Sequence, residues 1–245
     1  MEACAVVMAL KVQGRAVKLR LTREEEFFTT FVRQGLVART KVGAKKDGKL
    51  VAMQTEYYWD AGAYTEYGVN MTRAGGYSST GPYEIPNVQA DSYCCYTNHP
   101  VGGPMRGFGM PEIHWGIEQV MDMVAEKLGM DPRDFRLKNC IKTGGEVVTG
   151  WTMHPIKLDE CIEKATAAID WHKQEPASAP HKKRGKGLAI MWKAPAMPRN
   201  AGSSSYVRLN EDATVTVGIG GQEIGQGTHT VMAQMAAAAL GVPIE

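Results

Sequence analysis

The chain has 245 residues, 44% of them hydrophobic and 22% charged, enough apolar side chain to build one large core or two ordinary ones. Its 28 basic and 26 acidic side chains leave a formal net charge of +2, and the densest basic run, Lys182-Lys183-Arg184-Gly185-Lys186, has no interleaved aromatics. A nucleic-acid surface is therefore not expected, and the run reads as a solvated linker. The five cysteines form neither a C-x-x-C pair nor an even disulfide framework, which fits buried thiols in a reducing, cytoplasmic setting.

In chain order, Ala3 to Lys11 reads as a buried helix, too short and too soon ended by Lys11 to be a membrane span. Val17 to Leu21 alternates like a short strand, and Thr22-Arg23-Glu24-Glu25-Glu26 has the form of a capping box opening a helix. Val37 to Ala44 and Leu50 to Tyr58 read as strands joined through Lys45-Lys46-Asp47-Gly48, where Asp-Gly supplies the positive φ of a tight turn. Val88 to Thr97 is a further strand, in which the vicinal Cys94 and Cys95 point to opposite faces and so do not share a metal.

Pro111 and the spacing of Ile113, Ile117, Val120, Met121, Val124 and Leu128 predict a long amphipathic helix stopped by Gly129. Asp131-Pro132 caps a shorter one through Leu137, and the irregular stretch from Thr143 to Met153 suggests a boundary. Leu158 to Ile169 reads as helix and Gln174 to Pro180 as linker. Gly187 to Trp192, Ser204 to Leu209 and Thr214 to Ile219 read as strands, with Thr228 as N-cap of a last helix through Ala239. The elements alternate without a strict βαβ repeat, so the expected class is α+β.

Two glycine-rich loops that run into helices carry the functional signal. The second, Gly218-Ile219-Gly220-Gly221-Gln222-Glu223-Ile224-Gly225-Gln226-Gly227-Thr228-His229, has the form of an anion-binding turn but lacks the Gly-Lys-Ser/Thr ending of a P-loop. Gln226 stands between glycines, where a planar amide with one acceptor and two donors can approach the edge of a heterocycle. Glu223 reads as a holder of loop N–H groups rather than a catalytic acid. The first loop, Val101-Gly102-Gly103-Pro104-Met105-Arg106-Gly107-Phe108-Gly109, adds a guanidinium suited to an anion or carbonyl and a ring able to stack. The residues alone leave other readings open: a tight turn, Arg106 neutralising the helix entry through Glu112, and Phe108 in the core.

Met105-Arg106-Gly107-Phe108-Gly109 and Gly220-Gly221-Gln222-Glu223-Ile224-Gly225-Gln226-Gly227 together resemble the paired cofactor loops of the xanthine dehydrogenase/aldehyde oxidase family of molybdenum hydroxylases. The resemblance continues through Val124 to Pro132, Arg136-Leu137-Lys138-Asn139, Val17 to Asp47, and Tyr83-Glu84-Ile85-Pro86-Asn87. It implies two α+β domains, 1–154 and 155–245, with the cofactor site between them. The cofactor it implies is molybdopterin, taken in its cytosine dinucleotide form, and the reaction is hydroxylation of an electron-poor carbon with water as oxygen source. It places Met105, Arg106 and Gly107 near molybdenum, with Arg106 in the catalytic role, Phe108 in the substrate channel, and Gly225, Gln226 and Gly227 on the cofactor. Arg73 falls where xanthine-oxidising members carry a substrate-orienting arginine, a surface salt bridge being its other reading.

The same resemblance implies departures and missing parts. Gly107 stands where carbon monoxide dehydrogenases carry cysteine, and no Phe occurs near Trp192-Lys193-Ala194, where purine oxidisers have a second stacking ring. The family's general base, a glutamate, is expected beyond Glu245, so the chain alone is expected to be inactive. Iron–sulfur and FAD centres are expected on partner subunits, alongside the remainder of the molybdenum subunit, and a homo-oligomer is a further expectation. A noncatalytic scaffold and a nucleotide-binding module are the alternatives.

Overall fold

The structure, a computed structural model, describes residues 1–177, 179–193 and 202–244. It divides into two compact units, Met1–Ala194 and Pro195–Glu245, and its mixed helices and strands are the α+β class.

In the first unit, helices α1 (Glu2–Lys11) and α2 (Arg23–Thr29) lead into strand β1 (Val32–Arg33). The capping box at Thr22 is present: its hydroxyl accepts from Glu25 N, and the Glu25 carboxylate accepts from Thr22 N. Two expectations fail in this stretch. Helix α1 buries none of its residues, with Val6, Val7 and Leu10 exposed, because no other described element covers its apolar side chains. Residues 17–21 form no strand, having no ladder partner.

Strands β2 (Gly35–Ala44) and β3 (Leu50–Asp60) form the expected antiparallel hairpin, with Gly48 at φ 88° in its turn. Strand β4 (Asn87–Cys95) joins β3 in parallel through helix α3 (Gly68–Tyr77). Sequence periodicity misses α3, since its glycines weaken the helical signal. One of them is there for contact: a Cβ on Gly75 would stand 2.7 Å from the ring of Trp59, which is wholly buried. Met53, Thr55, Tyr57 and Trp59 alternate onto the core face of β3. Strand β5 (Gly102–Gly103) pairs in parallel with β1, so the first glycine loop starts from a pinned backbone.

Helix α4 (Met110–Leu128) buries Met110, Ile113, Ile117 and Met121, and ends at Gly129 in the left-handed conformation. Asp131 caps helix α5 (Pro132–Asn139) by accepting from Arg133 N. Buried Asn139 ties α5 to the β2–β3 hairpin: its Oδ1 accepts from Leu50 N at 2.9 Å, and its Nδ2 donates to Gly48 O at 2.8 Å. Helix α6 (Leu158–Ala168) follows. The compact unit continues through the expected boundary at 154/155, because Ile162 of α6 and Ile190 are buried in its core.

A buried polar hub fastens these parts. Arg136 Nε donates to Glu118 Oε2 at 2.8 Å, Arg136 Nη1 to Asp122 Oδ1 at 2.7 Å, and the Tyr83 hydroxyl to Glu118 Oε1 at 2.6 Å. Burial, reinforced by Glu118, pushes the Tyr83 phenol well above its ordinary pKa, so it remains a donor. Residues 187–192, expected as a strand, have no ladder. Their backbone is met by side chains instead: Ile190 N donates to Glu118 Oε2 at 2.9 Å and Trp192 N to His114 Nε2 at 3.4 Å.

In the second unit, strands β6 (Ser205–Leu209) and β7 (Val215–Ile219) form an antiparallel pair, followed by helix α7 (Thr228–Leu240). Gly227, at φ 83°, is its N-cap, and Thr228 is the first helical residue rather than the cap. The Thr228 hydroxyl is engaged instead by Gln226.

Replacing Arg136 by Met is expected to strip Glu118 of its buried partner and to destabilise the chain by about 3 kcal/mol or more. The double variant Arg136→Met/Glu118→Gln should recover part of that loss. Denaturant unfolding of the three proteins checks both statements.

Candidate functional site

The first loop owes its shape to three successive residues of positive φ: Gly107 at 115°, Phe108 at 54° and Gly109 at 85°. Glycine adopts this region freely, whereas Phe108 is held there at a cost. Phe108 N donates to Met105 O at 2.9 Å, closing a turn that leaves Met105 and Arg106 exposed at its crest. A Cβ on Gly107 would meet Pro111 Cδ at 2.6 Å, so the helix start also demands glycine here.

The base of the loop is a guanidinium strut. Arg33 Nη1 donates to Glu112 Oε1 at 3.0 Å and Arg33 Nη2 to Arg106 O at 3.1 Å, joining β1, the loop and the first turn of α4. Arg33 was invisible to sequence reasoning because its partners lie far along the chain. The ion pair with Glu112, considered above for Arg106, is made by Arg33.

Phe108 is half-buried and packs against the core, while the Lys193 ammonium lies over its ring at 5.6 Å from the centroid. Lys193 is delivered there by the segment that His114 and Glu118 hold. The His114 Nδ1 meets Met110 O at 2.7 Å, which fixes the neutral tautomer with Nε2 as acceptor. Burial pushes the His114 imidazole below its ordinary pKa.

Arg73 lies exposed on α3 and makes no ion pair or hydrogen bond among the described residues, so the salt-bridge reading finds no partner. Its helix reaches the first loop through Met71, whose carbonyl lies 3.7 Å from where a Cβ on Gly109 would stand.

The second loop is organised from within by Glu223, as the sequence indicated. Glu223 Oε1 accepts from Gly225 N at 2.6 Å and Gly227 N at 3.1 Å, and its Oε2 accepts from His229 N at 3.3 Å. The backbone bond from Gly227, followed by those from His229 and Gly225, holds the Glu223 carboxyl below its ordinary pKa despite an opposing desolvation. Gln226 is likewise folded into the loop: Oε1 accepts from Ile224 N at 2.7 Å, and Nε2 donates to Gln222 O at 2.7 Å and Thr228 Oγ1 at 2.6 Å. Both amide hydrogens of Gln226 are thus used, and what it can still offer a ligand is the second lone pair of Oε1. Gly225 and Gly227, at φ 91° and 83°, provide a backbone without Cβ atoms on either side of it.

The first loop presents Arg106 exposed on a turn that Arg33 braces, whereas in the second the N–H groups of Gly225, Gly227 and His229 are already taken by the Glu223 carboxylate at the start of α7. Among the described residues there is no group of three or more His, Cys, Asp or Glu side chains able to hold a metal ion directly, and no helix is long and apolar enough to cross a membrane.

Comparison with known proteins gives this α+β chain its class. The aldehyde oxidoreductase of Desulfovibrio desulfuricans superimposes with a TM-score of 0.75 at 30% identity, over 98% of this chain and 27% of that one. A family model described as molybdopterin cofactor-binding domain matches residues 1–140, and a second of the same description matches residues 164–245. The chain belongs to the molybdopterin cofactor-binding family of the molybdenum hydroxylases. The xanthine dehydrogenase molybdenum-binding subunit of Escherichia coli O157:H7 is 33% identical over 99% of this chain and 33% of its own length. The aldehyde oxidoreductase of Megalodesulfovibrio gigas is 34% identical over 91% of this chain and 25% of its own length. The chain therefore spans about a third or less of these two relatives.

Two outcomes are expected of this geometry. In Glu223→Ala the amides of Gly225, Gly227 and His229 should exchange with solvent several-fold faster than in the parent, as read by hydrogen exchange. For His114, the folded pKa lies below the unfolded value of about 6.5, so its contribution to stability is complete above that pH and is lost as pH falls toward the folded pKa. A melting series across that window should show a fall in Tm that His114→Gln lacks.

Proposed function

We propose that this chain is part of the large subunit of a molybdenum hydroxylase, acting in the oxidative hydroxylation of an electron-poor carbon with water as the oxygen source. The substrate is an aromatic N-heterocycle or an aldehyde, and the cofactor is molybdopterin in its cytosine dinucleotide form. When bound, the group supplies the redox chemistry. Met105, Arg106 and Gly107 hold its metal end, where the Arg106 guanidinium steadies negative charge on oxygen. Gly225, Gln226 and Gly227 hold another part of it, Gln226 through the free lone pair of Oε1. Phe108 stacks on the substrate and Arg73 orients it. The segment matched as one molybdopterin cofactor-binding domain, residues 1–140, carries the first loop, and the segment matched at 164–245 carries the second.

The observation that carries this reading is the turn at 105–109, which three left-handed residues and the Arg33 strut hold with Arg106 outward, in a chain that belongs to a cofactor-binding family. Because the relatives are at least three times longer, turnover is assigned to the whole subunit with its iron–sulfur and FAD partners in the cytoplasm, and the chain by itself is proposed to be inactive. A structural role for the second loop has its own support in the internal bonds of Glu223 and Gln226. It gives Gln226→Ala a different expected phenotype.

In the full-length subunit with its partners, Arg106→Ala should lower kcat by about a hundredfold or more while the fold is kept. Gln226→Ala should lower molybdenum content per polypeptide if it grips the cofactor, and should raise only hydrogen exchange in residues 222–228 if it is a strut. Unchanged kcat in Arg106→Ala, with molybdenum bound, would refute the assignment of that residue.

A further inference from the structure

The Arg106 carbonyl is held by a distant side chain, and that fixes a group on the opposite side of the same peptide. Arg33 Nη2 donates to Arg106 O at 3.1 Å while its Nη1 donates to Glu112 Oε1 at 3.0 Å. A planar guanidinium presents its donors in a fixed fork, so one side chain sets both acceptors. The peptide joining Arg106 to Gly107 is planar and trans, with its N–H pointing away from its C=O. With the carbonyl turned to Arg33, the Gly107 N–H is turned away from it, and it donates to no acceptor among the described residues.

Both ends of this tie are anchored. Arg33 lies on β1, which pairs with β5 in the register Arg33 with Gly103, and Val32 N donates to Val101 O at 3.0 Å. Close packing fixes that pairing, since a Cβ on Gly102 would stand 2.3 Å from Asp60 O and one on Gly103 would stand 2.9 Å from the Phe31 ring. At the other end, the Glu112 side chain is only 8% exposed, and its Oε2 has no hydrogen-bond partner among the described residues. A nearly buried carboxylate that loses its cation is left uncompensated, which favours keeping the fork closed.

We infer that Arg33 is a positioning residue of the cofactor site: by tying the Arg106 carbonyl to Glu112, it aims the Gly107 N–H outward as a fixed donor toward negative charge at the cofactor's metal end. The inference rests on the reading of residues 105–107 as the loop that holds that end, and it deepens that reading by naming the donor atom and the side chain that aims it. A backbone donor aimed in advance needs no reorganisation when charge develops in front of it. Arg33 itself acts only through the turn.

The test uses the full-length, molybdenum-loaded subunit with its partners as parent, Arg33→Met and Arg33→Lys. The lysine keeps a charge for Glu112 without the fork, so it separates loss of the tie from loss of the fold. In both variants the amides of residues 106–109 should exchange several-fold faster, and the electron paramagnetic resonance signal of the molybdenum should shift. A misplaced donor should also lower kcat by about tenfold or more while KM stays near the parent value. Parental exchange rates at 106–109 in both variants overturn the inference and leave the reading of the loop standing. Faster exchange with an unaltered molybdenum signal overturns that reading together with the inference, because the loosened turn then does not touch the metal end. A role confined to fold stability predicts that Arg33→Lys with a parental Tm has a parental molybdenum signal and kcat, a result that overturns the inference.

Discussion

The buried carboxylate of Glu118 is the constraint on which the first unit depends. It meets Arg136 from α5, Tyr83 from the turn before β4, and the backbone of Ile190, so three distant stretches of chain converge on one side chain. A buried ion pair is weak evidence for net stability, since desolvation offsets most of its attraction. Its geometry is what matters here. One oxygen takes the phenol and the other takes the guanidinium and the amide, which admits a single arrangement of α4, α5 and the 188–192 segment. That arrangement brings Lys193 over Phe108.

The first loop depends on the same helix from its other end. Helix α4 starts at Gly109, where the chain has just passed through three positive φ values, and Arg33 anchors both the loop carbonyl and the first helical turn. Strain at Phe108 is sustained by neighbours that over-determine it: Pro111 beneath Gly107, Trp59 beside Gly109, and the core against the ring. The result is a crest on which Met105 and Arg106 are exposed. The second loop reaches a comparable end by a different device, an internal carboxylate that gathers its N–H groups.

Local signals in the sequence reached far into this fold. Asp-Gly at the hairpin, the Thr22 capping box, the apolar period of α4 and the Asp131 cap each act within a few residues, and each forms as its chemistry dictates. What escaped notice depends on partners distant in sequence. Helix α3 hides behind glycines, one of which, Gly75, makes room for Trp59, residues 187–192 look like a strand yet are fixed by side chains, and Arg33 has no neighbour that betrays its role. Helix α1 shows the opposite failure: its apolar run says helix correctly, but burial is a property of what packs against it. At the second loop, the part played by Glu223 was legible in the sequence, while the inward turn of Gln226 and the cation on Phe108 depend on contacts that no local pattern encodes.

The central claim is that the 105–107 turn and the 225–227 turn hold molybdopterin. Diffraction from crystals of the full-length, molybdenum-loaded subunit, collected at the molybdenum absorption edge, tests it most directly. The account predicts an anomalous peak beside the Met105–Gly107 backbone and phosphate or pterin density in contact with Gly225–Gly227. A peak remote from residues 105–107 in an active preparation, with the 225–227 turn touching no part of the cofactor, would contradict it.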